Sequence, residues 1–216
     1  MLGGALLLLG AGCVTPSDRV PPVPYQYESS APAAKAPPAD SELTAPPAAR
    51  PLDNAKESMT KTWKHPGVLP ASEIAGKQVR LATKKGEIVF KLYEGEAPKT
   101  VSNFVYLANG GFYDGLTFHR VEPSFVIQGG DPSGNGTGGP GYRFEDEPVK
   151  RQYTAGIVAM ANAGPDTNGS QFFIMLEDNP LPPNYTIFGE VTKGMDVVRS
   201  IRVGDIMTKV SVEPHK

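Results

Sequence analysis

The chain has 216 residues, of which 39% are hydrophobic, and it carries a formal net charge of -2 at pH 7. This length favours one folded domain with a tail over two domains of ordinary size. Because the basic residues form no stripe or run, the sequence argues against nucleic acid as the main partner.

The first 13 residues are expected to form a signal segment. Residues 1–12 are apolar, too few to span a membrane but suited to the core of a secretory signal, and the only cysteine follows as Cys13. Small residues before a lone cysteine resemble the processing box of bacterial lipoproteins, although Gly10 stands where that box usually has leucine. We therefore expect lipidation of Cys13, with an ordinary cleaved signal or a functionless apolar start as alternatives.

Residues 14–51 are rich in proline, alanine and serine and nearly lack large aliphatic side chains. Such a segment cannot bury enough apolar surface to offset chain entropy and is biased toward an extended conformation, so we interpret it as a linker rather than as a docking motif. With a lipid anchor it would tether the domain to the bacterial cell envelope, facing the periplasm or the exterior. Ordinary cleavage would instead give a secreted protein.

Residues 52–76 are an uncertain extension, in which Trp63 and Leu69 can pack on the folded domain at residues 77–213. That domain opens with a predicted hairpin whose strands lie at residues 79–83 and 87–93, on either side of a glycine turn. Apolar side chains alternate along the second strand, so one of its faces can line a core.

Two helices are predicted to cover the sheet. Pro98 suits the first turn of one helix, and Gly110 ends it. Its apolar residues at the spacing of one helical face are Val101, Phe104, Val105 and Ala108. The second helix is predicted over residues 194–201, and a final strand over residues 206–212.

Arg120 lies in the largely apolar stretch of residues 117–130, where short strands are predicted at 118–121 and 125–128. A guanidinium carries a permanent charge and five donors, so it is seldom left among aromatic and β-branched neighbours without a partner or a task. Arg120 could hold a structural carboxylate, bind an anionic ligand, or direct a donor at a substrate in a half-apolar groove. The local sequence leaves these three interpretations open.

Two polar segments do not indicate phosphate or metal binding. The glycine-rich residues 129–141 lack a closing Gly-Lys-Ser/Thr and a following helix, so a flexible surface loop is predicted there. The acidic residues 145–147 have no histidine beside them, and we interpret them as a solvated face. The three histidines are too dispersed to suggest a ligand cluster.

Four motifs occur in the order and spacing of one family. They are Phe-His-Arg at 118–120, Phe-Val-Ile-Gln-Gly-Gly-Asp at 125–131, the run 161–175 after a predicted buried strand at 154–160, and Tyr-Thr-Ile-Phe-Gly-Glu-Val at 185–191. With them, residues 77–212 closely resemble the cyclophilins, the peptidyl-prolyl cis-trans isomerases. The resemblance implies a mainly β fold, a closed eight-stranded antiparallel barrel capped by two α-helices. It also implies a monomer that acts on proline-containing polypeptides without a cofactor or a metal ion.

The resemblance implies that Arg120 is the catalytic residue. Rotation about an X-Pro bond has a barrier of about 18–20 kcal/mol because the amide is conjugated. In the twisted form the prolyl nitrogen has lost this conjugation and becomes a better acceptor. A guanidinium that donates to it therefore stabilises the twisted form more than either planar form.

The other matched positions imply substrate binding. An apolar pocket for the proline ring is matched by Phe125, Val126, Phe173 and Leu181. Gln128 matches a donor or acceptor for the substrate backbone, and Ala161 and Asn162 match a segment that binds peptide through main-chain groups. Two further positions that line the site are matched by His119 and Tyr185. Each position also has a structural interpretation. The aromatic residues could belong to a packed core, Arg120 could form an ion pair, and His119 could equally be a contact residue or part of the scaffold.

Three positions depart from the family pattern. Pro180 replaces a tryptophan that contributes to cyclosporin binding, which argues against sensitivity to that drug, while Tyr185 replaces a pocket histidine and Val126 a methionine. We expect an isomerase that acts on exposed X-Pro segments of unfolded or secreted proteins. A chaperone or scaffold module that uses the same groove with little turnover is the alternative.

Overall fold

The computed structural model describes residues 61–215, so the predicted signal segment, the linker and residues 52–60 of the extension lie outside the described residues. The elements in chain order are α1 (Ala71–Ile74), β1 (Lys77–Thr83), β2 (Gly86–Leu92), α2 (Pro98–Asn109), β3 (Arg120–Glu122), β4 (Val126–Gly129), β5 (Ile157–Met160), β6 (Phe172–Met175), β7 (Ile187–Lys193), α3 (Met195–Ser200) and β8 (Met207–Pro214). The predicted hairpin, both predicted helices and the final strand are therefore present. No helix in this part of the chain is long and apolar enough to cross a membrane.

All eight strands belong to one antiparallel sheet with the order β3-β4-β6-β5-β7-β2-β1-β8. Successive side chains of a strand point to opposite faces, and the sheet curls around the larger of two apolar clusters. In β6, for example, Phe172 and Ile174 belong to this larger cluster, whereas Phe173 and Met175 belong to a smaller cluster on the other face. The mainly β architecture is thus confirmed.

The barrel is less closed than predicted. Among the described residues no ladder joins the two edge strands β3 and β8. The gap is bridged by the segment before β3, because Gly115 N–H donates to the carbonyl of Met207 and Met207 N–H donates to that of Leu116, each at 2.8 Å. The strands therefore form a curled half-barrel, completed by loop contacts because β3 itself has only three residues.

Phe104 of α2 is the centre of an aromatic core. Its ring stacks on Tyr113 with a centroid distance of 4.6 Å and meets the rings of Phe90, Phe172 and Phe188 at 5.6, 5.5 and 5.3 Å. The four apolar residues predicted to share one helical face are all buried. This confirms that α2 covers the sheet with the predicted face.

The acidic residues 145–147 are not simply the solvated face that the sequence suggested. Only Glu145 is exposed, whereas Glu147 is buried and accepts hydrogen bonds from the main-chain N–H groups of Lys99 and Thr100 at 2.9 and 2.8 Å. Ala97, the residue before α2, has no side chain that can cap the helix. A carboxylate 47 residues away in sequence therefore caps it and complements its positive end.

The described part of the extension, residues 61–76, packs on the domain through Trp63. Its indole is only 6% exposed and makes edge contacts with the rings of Tyr106 and Phe112, both at 5.5 Å. Gly110, just after α2, makes room for this ring, since a Cβ at that position would overlap it. The glycine that ends the helix therefore also admits the extension.

We expect Gly110→Ala to displace Trp63. The backbone φ of Gly110 is -81°, which alanine adopts without strain, so the steric overlap with the indole is the main effect. The fluorescence of Trp63, the only tryptophan, should shift to longer wavelength, and the free energy of unfolding should fall by about 1–3 kcal/mol.

Gly95→Ala is the matched control, because a Cβ there meets nothing within 4 Å and no left-handed φ is involved. Urea titrations followed by fluorescence measure both variants. Wild-type emission and stability in Gly110→Ala would contradict the docking of Trp63.

Candidate functional site

The register of four strands places the predicted catalytic and binding residues in one row. Arg120 of β3 is paired with Gln128 of β4, Gln128 with Phe173 of β6, and Phe173 with Ala159 of β5. Directly paired residues have side chains on the same face of a sheet. This row therefore lies on the face opposite the aromatic core, with Arg120 at one end and an apolar floor at the other.

A cavity of about 250 Å³ opens on this face. It is lined by nine of the residues that the sequence predicted for the site: Arg120, Phe125, Val126, Gln128, Ala161, Asn162, Phe173, Leu181 and Tyr185. Val126 and Phe173 form its buried floor, with 2% and 5% exposure, whereas Arg120 lies at its rim. The cavity thus joins an apolar pocket to a single cation.

Gln171, which was not among the residues predicted from the sequence, orients the polar side of this cavity. Its Nε2 donates to the carbonyls of Gly136 and Gly138, both at 2.9 Å, so its Oε1 is left to accept from Gln128 Nε2, also at 2.9 Å. Gln128 Oε1 then accepts from Arg120 Nη1 at 3.2 Å. Gln171 lies two residues before Phe173, and the alternation of a strand could have placed it on this face.

The guanidinium of Arg120 is positioned without being neutralised. Its Nε lies 3.6 Å from Glu122 Oε1, and the two side chains are 43% and 51% exposed. Such a solvated pair is weak, so a structural ion pair is a poor explanation of this arginine. Nη2 makes no hydrogen bond to any described residue, and the guanidinium carbon lies 5.8 Å from the centre of the Phe125 ring. Donors of Arg120 therefore remain free beside the apolar pocket.

A second, larger cavity of about 570 Å³ adjoins the first and shares Gln128, Ala161 and Asn162 with it. The glycine-rich loop, residues 129–141, forms one of its walls. The main-chain N–H groups of this loop do not form a phosphate cradle, because those of Ser133 and Asn135 already donate to the buried carboxylate of Asp131, at 2.7 and 2.9 Å. The two cavities form one groove around Gln128.

Comparison with known proteins shows to which family the chain belongs. A model of the family described as cyclophilin type peptidyl-prolyl cis-trans isomerase/CLD matches residues 78–216. This chain belongs to the cyclophilin family.

Relatives of this cyclophilin are found in several organisms. It is 54% identical over 130 residues to peptidyl-prolyl cis-trans isomerase B of Bacillus subtilis, covering 59% of this chain and 91% of that protein. It is 49% identical over 138 residues to a peptidyl-prolyl cis-trans isomerase of Synechococcus elongatus, covering 62% and 95%. The crystal structure of a Cryptosporidium parvum cyclophilin type isomerase is similar with a TM-score of 0.59 and 34% identity, covering 63% of this chain and 97% of that chain.

Asn162 of this cyclophilin is held by its side chain. Its Nδ2 donates to Asn184 O at 2.8 Å and to Asp146 Oδ1 at 3.3 Å, and Asp146 also accepts from Asn168 Nδ2 at 2.7 Å. Asp146 is therefore a second residue of the acidic segment with a structural task. These bonds hold the backbone segment for which the resemblance implied binding of a peptide through main-chain groups.

Of the ten residues predicted for catalysis and peptide binding, His119 alone does not line the smaller cavity. Both of its ring nitrogens are buried without a hydrogen-bond partner among the described residues. Burial lowers the pKa of His119 and the charge of Arg120 lowers it further, against an opposing effect of Asp131. The sequence left this residue between contact and scaffold, and its position favours the scaffold.

The three departures from the family pattern lie at or beside the pocket. Tyr185 and Val126 line it, and the Tyr185 ring meets that of Phe173 edge-on at 5.7 Å. Pro180 is exposed and is not one of the lining residues. Among the described residues, no group of three or more His, Cys, Asp and Glu side chains could hold a metal ion.

The lowered pKa of His119 predicts a pH dependence of stability. In the unfolded chain this imidazole gains a proton near its ordinary pKa of 6.5, whereas in the folded protein it gains one only at lower pH. Between the two values the unfolded state binds more protons, so stability should fall as the pH is lowered below 6.5.

NMR titration of the His119 ring and urea unfolding above and below this pH measure the effect. His119→Asn should weaken the decline, and the remainder should include His65, whose pKa burial also lowers. A His119 titration midpoint at or above 6.5 would show that the ring is not desolvated in this way.

Proposed function

We propose that this cyclophilin binds exposed X-Pro segments of unfolded or secreted polypeptides as a monomer and accelerates rotation about the X-Pro bond. The observation that carries the proposal is the row Arg120–Gln128–Phe173, which places a guanidinium with free donors beside an apolar pocket. The relatives' names support the activity. A second crystal structure of the Cryptosporidium parvum protein was obtained in the presence of the dipeptide Ala-Pro, which supports proline-containing peptides as substrates.

The pocket and the cation act on different parts of the substrate. The floor formed by Val126 and Phe173 and the wall formed by Leu181 hold the proline ring, which is apolar and fits a desolvated site. With the ring held, the carbonyl of the preceding residue is the group that turns. No covalent bond is broken, so no nucleophile is required.

Arg120 lowers the barrier by differential binding. The prolyl nitrogen accepts a hydrogen bond only when the amide is twisted, so a donor placed at that nitrogen acts in the transition state and not in the planar ground states. Gln128 Oε1 accepts from Nη1, and Nη2 of this cavity-lining arginine makes no hydrogen bond to a described residue, so its N–H groups are available to a bound peptide. The Gln128 amide can also bond the substrate backbone, which fixes the peptide on either side of the rotating bond.

We expect Arg120→Ala to lower kcat/KM for a short Ala-Pro peptide by about 10²–10³-fold, because it removes a donor used in the transition state. Arg120→Lys should also lose most of the activity, since an ammonium keeps the charge but lacks the planar fork. Arg151→Ala is the matched control, because Arg151 is similarly exposed at 40% and forms an ion pair with Glu96 outside the groove. NMR exchange spectroscopy of the peptide measures the rotation rate.

Peptide titration of the same variants separates catalysis from binding. A wild-type protein that binds the peptide without accelerating rotation would favour the alternative of a chaperone or scaffold module. If Arg120→Ala isomerised the peptide as fast as wild type, the role assigned to the guanidinium would be wrong.

We also propose that Cys13 carries a lipid that anchors the protein at the bacterial cell envelope. The proposal is supported by the apolar run before Cys13 and by the proline-rich linker that would hold the domain away from the membrane surface. Mass spectrometry of the N-terminus should find an acylated Cys13, and Cys13→Ser should move the protein from the membrane fraction to the soluble fraction. A mature N-terminus without lipid would leave ordinary secretion as the explanation.

A further inference from the structure

Tyr153 lies directly behind the pocket and is not one of its lining residues. It is 4% exposed and belongs to the same apolar cluster as Val126 and Phe173, against which Leu181 and Tyr185 pack. Its ring meets that of Tyr185 edge-on at 6.5 Å. The residue therefore contacts the back of the pocket wall and cannot itself contact a bound peptide.

The Tyr153 hydroxyl makes two hydrogen bonds to one residue of that wall. It donates to the main-chain carbonyl of Tyr185 at 2.8 Å and accepts from the main-chain N–H of Tyr185 at 3.1 Å. Both polar groups of one peptide segment are thus satisfied by a single buried side chain. A phenol is suited to this task because its oxygen is donor and acceptor at once.

The main chain of Tyr153 holds the other end of the same wall. The N–H of Asn179 donates to the carbonyl of Tyr153 at 3.0 Å. Residues 179–185 include both Leu181 and Tyr185, which line the pocket, and they contain no regular secondary structure. Without a strand ladder to fix them, these residues depend on such contacts for their position.

We propose that Tyr153 is a positioning residue that fixes residues 179–185 as one wall of the proline pocket and so sets the affinity for X-Pro peptides. The proposal rests on the proposed isomerase function of the same site. The two ends of the wall are held by chemically different groups of Tyr153, its carbonyl at Asn179 and its hydroxyl at Tyr185. A substitution can therefore remove both hydroxyl bonds to Tyr185 and keep the bond at Asn179. The bond of Asn162 Nδ2 to the Asn184 carbonyl also remains.

The effect should appear in binding more than in the rotation step. Leu181 and Tyr185 line the pocket proposed to hold the proline ring. This ring is the same in the planar and the twisted amide, so the two residues should stabilise both forms to a similar extent. A change that loosens such uniform contacts raises KM and leaves kcat nearly unchanged. Arg120 acts on the twisted amide, and its loss lowers kcat instead.

Tyr153→Phe tests the proposal, since it keeps the ring and the main-chain carbonyl but removes both hydroxyl bonds. We expect KM and the dissociation constant for an Ala-Pro peptide to rise about five- to tenfold with kcat within about twofold of wild type. Hydrogen exchange measured by NMR should show loss of protection at the Tyr185 amide. The Asn179 amide should keep its protection, because its acceptor is still present.

Tyr93→Phe is the matched control. Tyr93 belongs to the same apolar cluster and its hydroxyl bonds Glu190, but it does not line the pocket and makes no hydrogen bond or ring contact with residues 179–185. It should leave KM and the Tyr185 amide unchanged, even where both variants lose similar stability in urea. Equal effects of the two variants on KM would show that Tyr153 acts only through general stability, and the proposal would be wrong.

Two further outcomes separate this proposal from the isomerase function. If wild type does not accelerate rotation, the proposed function fails, while the amide exchange still reports whether Tyr153 fixes the wall. If wild type is active but its Tyr185 amide exchanges as freely as an unstructured peptide, Tyr153 does not hold the wall and the positioning role is refuted without any variant.

Discussion

The candidate site depends on the register of β3, β4, β6 and β5. A slip of one residue between β4 and β6 would turn Gln128 into the core and bring Ile127 to the groove, because side chains alternate between faces. The register is secured from the other side of the sheet, where Ile127, Phe172 and Ile174 are fully buried. Burying each such side chain contributes about 1.5–3 kcal/mol. Residues that no substrate can reach therefore determine where Arg120, Gln128 and Phe173 lie.

The same alternation explains how an arginine can adjoin an apolar pocket with little loss of hydration free energy. Arg120 is on a short edge strand, so its side chain stays at the rim and keeps much of its hydration, while Phe173 lies two strands further in. A buried guanidinium would need a strong carboxylate partner to offset its desolvation. That partner would also occupy guanidinium donors that are free in this arrangement. The solvated carboxylate of Glu122 lies 3.6 Å from Nε and makes no bond to Nη2.

Much of this arrangement could be predicted from the sequence. The hairpin and α2 follow from local periodicity, and the nine residues that line the smaller cavity follow from the resemblance of the motifs to the cyclophilins. Contacts that depend on side chains meeting through space could not. Glu147 looks like one of three solvated acidic residues until the fold brings it to the uncapped start of α2. Tyr153 likewise has no sequence feature that relates it to residue 185. Closure of the barrel was overestimated because the sequence does not show that residues 115–118, rather than β3, bond Met207 of β8 and Asp205 just before it.

The glycine-rich loop has a role that its composition alone does not suggest. Asp131 gathers the N–H groups of this loop, and burial of that carboxylate is outweighed by these donors, so the pKa of Asp131 lies below its usual range. The folded loop presents the carbonyls of Gly136 and Gly138 to the Gln171 amide. Since a carbonyl can only accept a hydrogen bond, Gln171 must turn its Nε2 toward the loop, which leaves its Oε1 facing Gln128. Gln128 must then donate its Nε2 to Gln171, so its own Oε1 faces Arg120. The glycine-rich loop therefore sets the orientation of the Arg120 guanidinium through the side-chain amides of Gln171 and Gln128.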